Sequence, residues 1–127
     1  MLRGEIPREI IYEDDLCFVI PTIEPLTPGH LLIIPNEQID VLWDIDDPLY
    51  QHLLSVAKTI ARTLKKSYDY IRINMIVEGF EVPHAHIHLF GVNQGLVATF
   101  KQLPGPGPAA ISVDELKQTA DKVRANL

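Results

Sequence analysis

The chain has 127 residues, 46% of them hydrophobic and 22% charged, with a formal net charge of −6, which fits a single domain able to bury roughly two thirds of its unfolded surface. No run approaches the roughly 20 apolar residues that cross a bilayer, so no membrane partner is expected. The acidic balance argues against polymeric nucleic acid, whose phosphates call for a Lys/Arg excess or a basic stripe, but leaves room for a small anionic ligand in a locally positive site.

The first ten residues mix Arg3, Glu5, Arg8 and Glu9 and do not suit the apolar segment of a signal peptide, so a cytoplasmic protein is expected. Residues 9–15 (EIIYEDD) and 17–21 (CFVIP) read as two short strands with Asp14-Asp15 at the turn. Cys17, the single cysteine, permits no internal disulfide and no cysteine-based zinc site, and reads as a small buried hydrophobe. A third strand over 29–35 (GHLLIIP) is opened by Pro28-Gly29 and closed by Pro35. Then 46–67 carries strong helix signals: Asp47 as N-cap, Pro48 at the first helical position, and Leu49, Leu53, Val56, Ile60 and Leu64 on one stripe. Lys65-Lys66 closes it, where cations suit the helix dipole. Residues 68–77 (YDYIRINMIV) are β-rich and are expected to pair antiparallel with 83–90 (PHAHIHLF). The segment LPGPGPAA is too rich in Pro and Gly for regular structure. Ser112 with Glu115 makes a capping box before a last helix whose Val113, Leu116, Ala120 and Val123 share a face. Residues 1–127 thus read as one domain: a core over about 3–100, a Pro/Gly linker over 101–111 and a terminal helix over 112–127, without internal repeats.

Three of the five histidines, His84, His86 and His88, alternate within VPHAHIHLF. On a strand such residues share one face, while Ala85, Ile87 and Leu89 point to the core. Two chemistries suit a row of imidazoles. Neutral rings can converge on a metal ion, or one ring can attack an electrophilic phosphorus while its neighbours orient it. His52, on the long helix, reads as a surface or packing residue.

RGEIPREIIYEDD, PLTPGHLLIIP and VPHAHIHLF, in that order, resemble the histidine triad (HIT) family. His84-Ala85-His86-Ile87-His88-Leu89-Phe90 matches the signature His-φ-His-φ-His-φ-φ, with φ apolar, and Pro28-Gly29-His30 is a second landmark. The resemblance implies an α+β fold: a mostly antiparallel sheet of about five strands, one long packing helix and a C-terminal helix, commonly paired into a homodimer. It implies a nucleotide hydrolase or transferase acting at the α-phosphate, with no cofactor and no metal in the site. The substrate is then a purine nucleotide, either an adenosine or guanosine phosphoramidate or a dinucleoside polyphosphate. By the same resemblance His86 is the nucleophile that forms a nucleotidyl-histidine, His88 contacts the phosphate and the leaving-group side, and His84 and His30 complete the histidine network. Phe18 and Leu26 fall where the family holds the base, with Thr22 and Asn74 as further nucleotide contacts.

The departures bear on function. Many members carry a ribose-binding Asp eight residues before the His30 position, which here is Thr22. The loop before the triad, VEGFEVPH, is about four residues shorter than in those members, and Val77 takes the usual amide position, with Asn74 three residues earlier. An N-terminal cysteine metal motif seen in some members is missing. Three readings follow from the sequence: an enzyme working through His86, a nucleotide-binding regulatory protein with weak or no turnover, and a metal-binding protein. Lys101 is the only Lys/Arg between Arg72 and Lys117, which favours a small leaving group over a polyphosphate.

Overall fold

Asp14 builds the first turn with its own side chain. Its Oδ1 accepts the N–H groups of Leu16 at 2.8 Å and Cys17 at 2.9 Å, an Asx turn that folds β1 (Tyr12–Glu13) onto β2 (Cys17–Pro21). The computed structural model from which this geometry is taken describes residues 9–78, 83–103 and 108–127. Residues 1–8, the pre-triad loop at 79–82 and 104–107 of the Pro/Gly linker lie outside the described residues.

β2 pairs antiparallel with β3 (Leu31–Pro35), and every residue of both strands is buried. The chain then leaves the sheet through a short 3₁₀ turn, Leu42–Asp44, and α1, Asp47–Tyr68. It returns as the pair β4 (Arg72–Ile76) and β5 (Ile87–Val92), with β5 inserted beside β3. The sheet order is therefore β1-β2-β3-β5-β4, antiparallel throughout, and with its helices it forms the α+β domain expected. The order matters for function, because it makes neighbours of two histidine-bearing segments 58 residues apart in sequence.

Strand alternation splits the apolar residues between two faces. Val19, Leu31, Ile33, Ala85, Ile87 and Leu89 lie under the helices, against Leu49, Leu53, Val56, Ile60 and Leu64 of α1 and against Ala120 and Val123 of α3 (Val113–Arg124). Phe18, Ile20, Leu32 and Ile34 form a smaller cluster on the other face.

Two details of the helices differ from the sequence reading. Asp46, not Asp47, is the N-cap of α1, its side chain makes no cap hydrogen bond, and Pro48 is the second helical residue. A Pro needs no N–H in the first turn, so either register satisfies it. In α3, Ser112 Oγ accepts the Glu115 N–H at 3.1 Å as the capping box predicts, but Val113 is 61% exposed because the stripe meets the core only from Leu116 onward. A short helix, α2 (Leu96–Lys101), follows β5; no apolar periodicity in the sequence announces it.

Leu53 is fully buried at the centre of the α1 stripe. Leu53→Ala is expected to destabilise the protein by about 2–5 kcal/mol. Urea unfolding checks this as a lowered midpoint at unchanged slope.

Candidate functional site

Four histidines stand at the junction of β3 and β5, and each enters through a different local device. His30 precedes β3 after the turn Pro28-Gly29. Gly29 has φ +86°, and a Cβ there would stand 2.6 Å from the Tyr68 ring, so conformation and packing both require glycine. His88 lies within β5, opposite Leu32 of β3 and Ile76 of β4. His84 and His86 precede the strand. The clean alternation expected over 84–88 is therefore corrected: the β3–β5 ladder ends at Ile33 and Ile87, and the Ala85 N–H turns away to the Ile39 carbonyl at 2.7 Å. The core-facing half of the pattern holds, with Ala85, Ile87 and Leu89 all buried.

Three rings form a contiguous row. The centroids of His86 and His88 are 4.7 Å apart, those of His88 and His30 5.1 Å, and those of His30 and Phe90 5.5 Å. His84 differs: its ring is buried and bonds the Pro35 carbonyl at 2.8 Å. It orients His86 through its main chain, since the His84 carbonyl accepts from His86 Nδ1 at 2.8 Å.

These partners fix the proton positions. A carbonyl only accepts, so His86 carries its proton on Nδ1 and a lone pair on Nε2. The Leu26 N–H only donates, and it reaches His30 Nδ1 at 3.0 Å. His30 therefore carries its proton on Nε2, which donates to His88 Nδ1 at 2.9 Å. The proton of His88 is left on Nε2, facing the Glu78 carbonyl at 3.3 Å. Both rings are neutral at physiological pH. Burial, then the neighbouring His88 and His86, pushes His30 down to about 3, and burial, then His86, lowers His88. Among the described residues, only His86 of the three contiguous rings keeps an uncommitted lone pair, so this bonding pattern does not suit a metal held by the row.

The residues expected to hold the nucleotide divide between two places. Phe18 lies buried in the cluster with Ile20, Leu32 and Ile34, on the histidine face. Asn74 sits opposite Phe90 and so shares that face. Thr22 and Leu26 instead line a cavity of about 660 Å³ at the end of the sheet, together with His30, Tyr70, Asn93 and Gln102. His86 and His88 do not line it, so this cavity is not where the free imidazole stands; His30 borders both.

Sequence reasoning missed a second polar cluster. His52, read as a surface or packing residue, bonds Asp14 Oδ2 at 2.7 Å, and the Tyr12 hydroxyl donates to the same oxygen at 2.6 Å. Cys17 Sγ lies 3.9 Å from it. Burial alone would raise the Asp14 carboxyl, but the bonds from Tyr12, the Leu16 N–H, His52 and the Cys17 N–H carry it well below the usual carboxylate range. The Tyr12 phenol rises to about 12, chiefly through its bond to Asp14, and burial followed by the Asp14 charge raises the Cys17 thiol to about 12. Donor atoms of Asp14, Cys17 and His52 lie within 4.8 Å of one another and could meet a metal ion. Both carboxylate oxygens are already engaged and the thiol is protonated, so the cluster reads as a structural hydrogen-bond node tying the β1–β2 turn to α1. The sequence signal was the Asp14-Asp15 turn; its partner 38 residues away carried none.

A five-stranded antiparallel sheet, helices on one face and hydrogen-bonded imidazoles on the other, defines an α+β domain with a histidine-built site. The chain belongs to the HIT family, whose domain model matches residues 3–95. It is 38% identical to a purine nucleoside phosphoramidase of Escherichia coli (strain K12) over 97 residues, 72% of this chain and 82% of that protein. It is also 38% identical to an uncharacterized HIT-like protein of Borreliella burgdorferi over 96 residues, 70% of this chain and 69% of the other. Among solved structures, a HIT-like protein involved in cell-cycle regulation from Bartonella henselae matches with a TM-score of 0.83 at 26% identity, over 99% of this chain and 91% of that one. No described helix is long and apolar enough to cross a membrane.

The neutral state of His30 has a thermodynamic consequence. In the unfolded chain a histidine takes up its proton near pH 6.5, whereas folded His30 resists until about pH 3. Between these values the unfolded state binds the extra proton, so stability falls as the pH drops below about 6.5, by up to about 1.4 kcal/mol per pH unit. Denaturant unfolding from pH 7.5 to 5 is expected to show this loss, with a shallower slope in His30→Gln.

Proposed function

We propose that the protein is a nucleotide hydrolase or transferase that cleaves a purine nucleoside phosphoramidate through a covalent nucleotide on His86. The observation that carries this reading is the lone pair on His86 Nε2, held in a buried ring by the His84 carbonyl. A nucleophile of this kind divides one displacement at phosphorus into two. In the first step His86 Nε2 attacks the α-phosphorus, a P–N bond forms, and the bond to the leaving nitrogen breaks. The leaving nitrogen takes up one proton from solvent and departs as a neutral amine, and the water that attacks in the second step returns that proton to solvent. The ring gains positive charge as it is nucleotidylated, and the His84 carbonyl at Nδ1–H stabilises that charge. In the second step water attacks the same phosphorus, releases the nucleoside monophosphate and restores His86. His88 presents Nε2–H as a donor to the phosphoryl group, with His30 behind it holding Nδ1 occupied.

The choice of leaving group is supported by the relative that is a purine nucleoside phosphoramidase and by the scarcity of cations, Lys101 being the only Lys/Arg from 73 to 116. A polyphosphate leaving group would need cationic neighbours along its path. A weaker turnover or a purely nucleotide-binding role gains from Thr22, which cannot supply a carboxylate to the ribose and whose Oγ1 already accepts the Glu24 N–H at 3.2 Å.

Single-turnover mixing with adenosine 5'-phosphoramidate should yield AMP and a transient adduct visible by intact mass. His86→Ala is expected to lose AMP production by about 10⁴-fold or more, the scale of removing a covalent nucleophile. AMP binding without turnover in either protein would support the binding role instead, and equal turnover in both would remove His86 as nucleophile.

The expected homodimer is supported by β4, which ends the sheet among the described residues and exposes Met75 beside Ile71 and Val77. Light scattering after size exclusion should give about twice the 14.3 kDa of one chain; a mass near one chain would refute the dimer.

A further inference from the structure

We propose that Tyr70 is a positioning residue for the histidine site: it tethers the turn whose main-chain N–H sets the proton on His30 and, through it, on His88. This rests on the proposed reading of the site for its kinetic consequence, though not for its geometry.

The proton pattern depends chiefly on one main-chain group. The Leu26 N–H occupies His30 Nδ1 at 3.0 Å and obliges His30 to donate through Nε2 to His88, a direction that the longer contact of His88 Nε2 with the Glu78 carbonyl, 3.3 Å, also favours. Leu26 belongs to an irregular segment between β2 and β3, so its N–H is only as well placed as that segment. Two side-chain bonds tie the segment to the rest of the fold. The Thr27 hydroxyl donates to the Gly91 carbonyl of β5 at 2.8 Å, and the Tyr70 hydroxyl donates to the Pro28 carbonyl at 2.6 Å. Burial raises the Tyr70 phenol above its ordinary value, so it remains a donor.

Tyr70 is itself built in. Its ring stacks on Tyr68 with centroids 5.9 Å apart and planes inclined by 25°, and Lys122 Nζ of α3 lies 4.2 Å from the centre of the Tyr68 ring. It also lies so close over Gly91 that a Cβ there would come within 1.8 Å of a ring atom. Glycine in a strand interior costs stability and often marks a close approach of other groups; here the group is this ring. The same residue thus receives the Tyr70 ring on its Cα and the Thr27 hydroxyl on its carbonyl. A tyrosine serving only to cover a surface turn would not need its hydroxyl aimed at the carbonyl two residues before His30.

Without the Tyr70 hydroxyl, the Leu26 N–H loses a tether and His30 is freer to adopt its other tautomer, with the proton on Nδ1. His30 would then present a lone pair to His88 Nδ1, and His88 would have to move its own proton from Nε2 to Nδ1, removing the donor offered to the phosphoryl group.

Tyr70→Phe keeps the ring stack and the cover on Gly91 and deletes the bond to Pro28 together with the hydroxyl's contact with Thr27; Thr27→Val deletes the bond to Gly91. Histidine side-chain ¹⁵N spectra of the unliganded protein read the tautomers directly. The wild type should show His30 protonated at Nε2 and bare at Nδ1, and both variants should shift towards a mixture. With adenosine 5'-phosphoramidate, kcat is expected to fall roughly three- to tenfold, the effect of about one net hydrogen bond, with KM within about twofold. A Tyr70→Phe protein that folds, keeps the wild-type tautomers and keeps kcat overturns the proposal, and Thr27→Val provides the same test should Tyr70→Phe not fold. Altered tautomers in a protein whose wild type makes no AMP would leave the positioning role standing and remove the enzymatic reading instead.

Discussion

The hydrogen bond from His30 to His88 joins β3 to β5, and its direction is the constraint on which the site depends. An imidazole pair buried together has one shared proton position and two ways to place it. The Leu26 N–H removes the choice, because a donor at Nδ1 of His30 leaves only Nε2 to carry the proton. His86 is fixed with the opposite polarity by a carbonyl at its own Nδ1. Adjacent rings are thereby differentiated, His86 presenting a lone pair at Nε2 and His88 an N–H at Nε2 that faces the Glu78 carbonyl. Topology is the precondition: only by leaving the sheet through α1 and returning on its far side does the chain bring β5 beside β3.

That arrangement answers how an acidic chain can serve an anion. A phosphate held by lysines would be held by charge. Among the described residues, the rings beside His86 are instead neutral donors and acceptors, and burial keeps His30 and His88 uncharged. Neutral donors select by direction, and in a dry site they are stronger than in water. They cannot neutralise a chain of phosphates, which is why the same electrostatics that permit a compact phosphoramidate disfavour a long polyphosphate. The raised Tyr70 phenol and the protonated Cys17 thiol follow the same rule, burial favouring the neutral form.

Much of this was legible in the sequence, because apolar periodicity reports which face of an element is buried. The stripe from Leu49 to Leu64, the two-sided burial of CFVIP and LLIIP, and the core-facing Ala85, Ile87 and Leu89 all follow from spacing. Periodicity says nothing about hydrogen-bond partners. Alternation placed His84 beside its neighbours, but the chain before β5 leaves the ladder and the His84 ring turns to Pro35. His52 looked solitary on α1 because Asp14 approaches it across 38 residues. Thr22 and Leu26 were grouped with Phe18 by their position in the chain, yet the turn carries them to the end of the sheet. Tyr70 carried no motif at all, since its partner is a carbonyl.

The two motifs that stand out in the sequence therefore have different physical origins. The histidine row is chemical: His30 and His88 share a hydrogen bond, and His86 stands beside them with its Nδ1–H on the His84 carbonyl. Pro28-Gly29-His30 is largely steric. Gly29 stands where φ is +86° and the Tyr68 ring leaves no space for a Cβ, and Pro28 offers the carbonyl that Tyr70 grips. His30 belongs to both, ending the turn and beginning the relay. A substitution in the turn thus has two routes to damage, through strain at Gly29 and through the proton on His30. They separate cleanly, because strain lowers stability at every pH, whereas a lost tautomer alters which nitrogen of His88 is the donor and leaves the core beneath it packed as before.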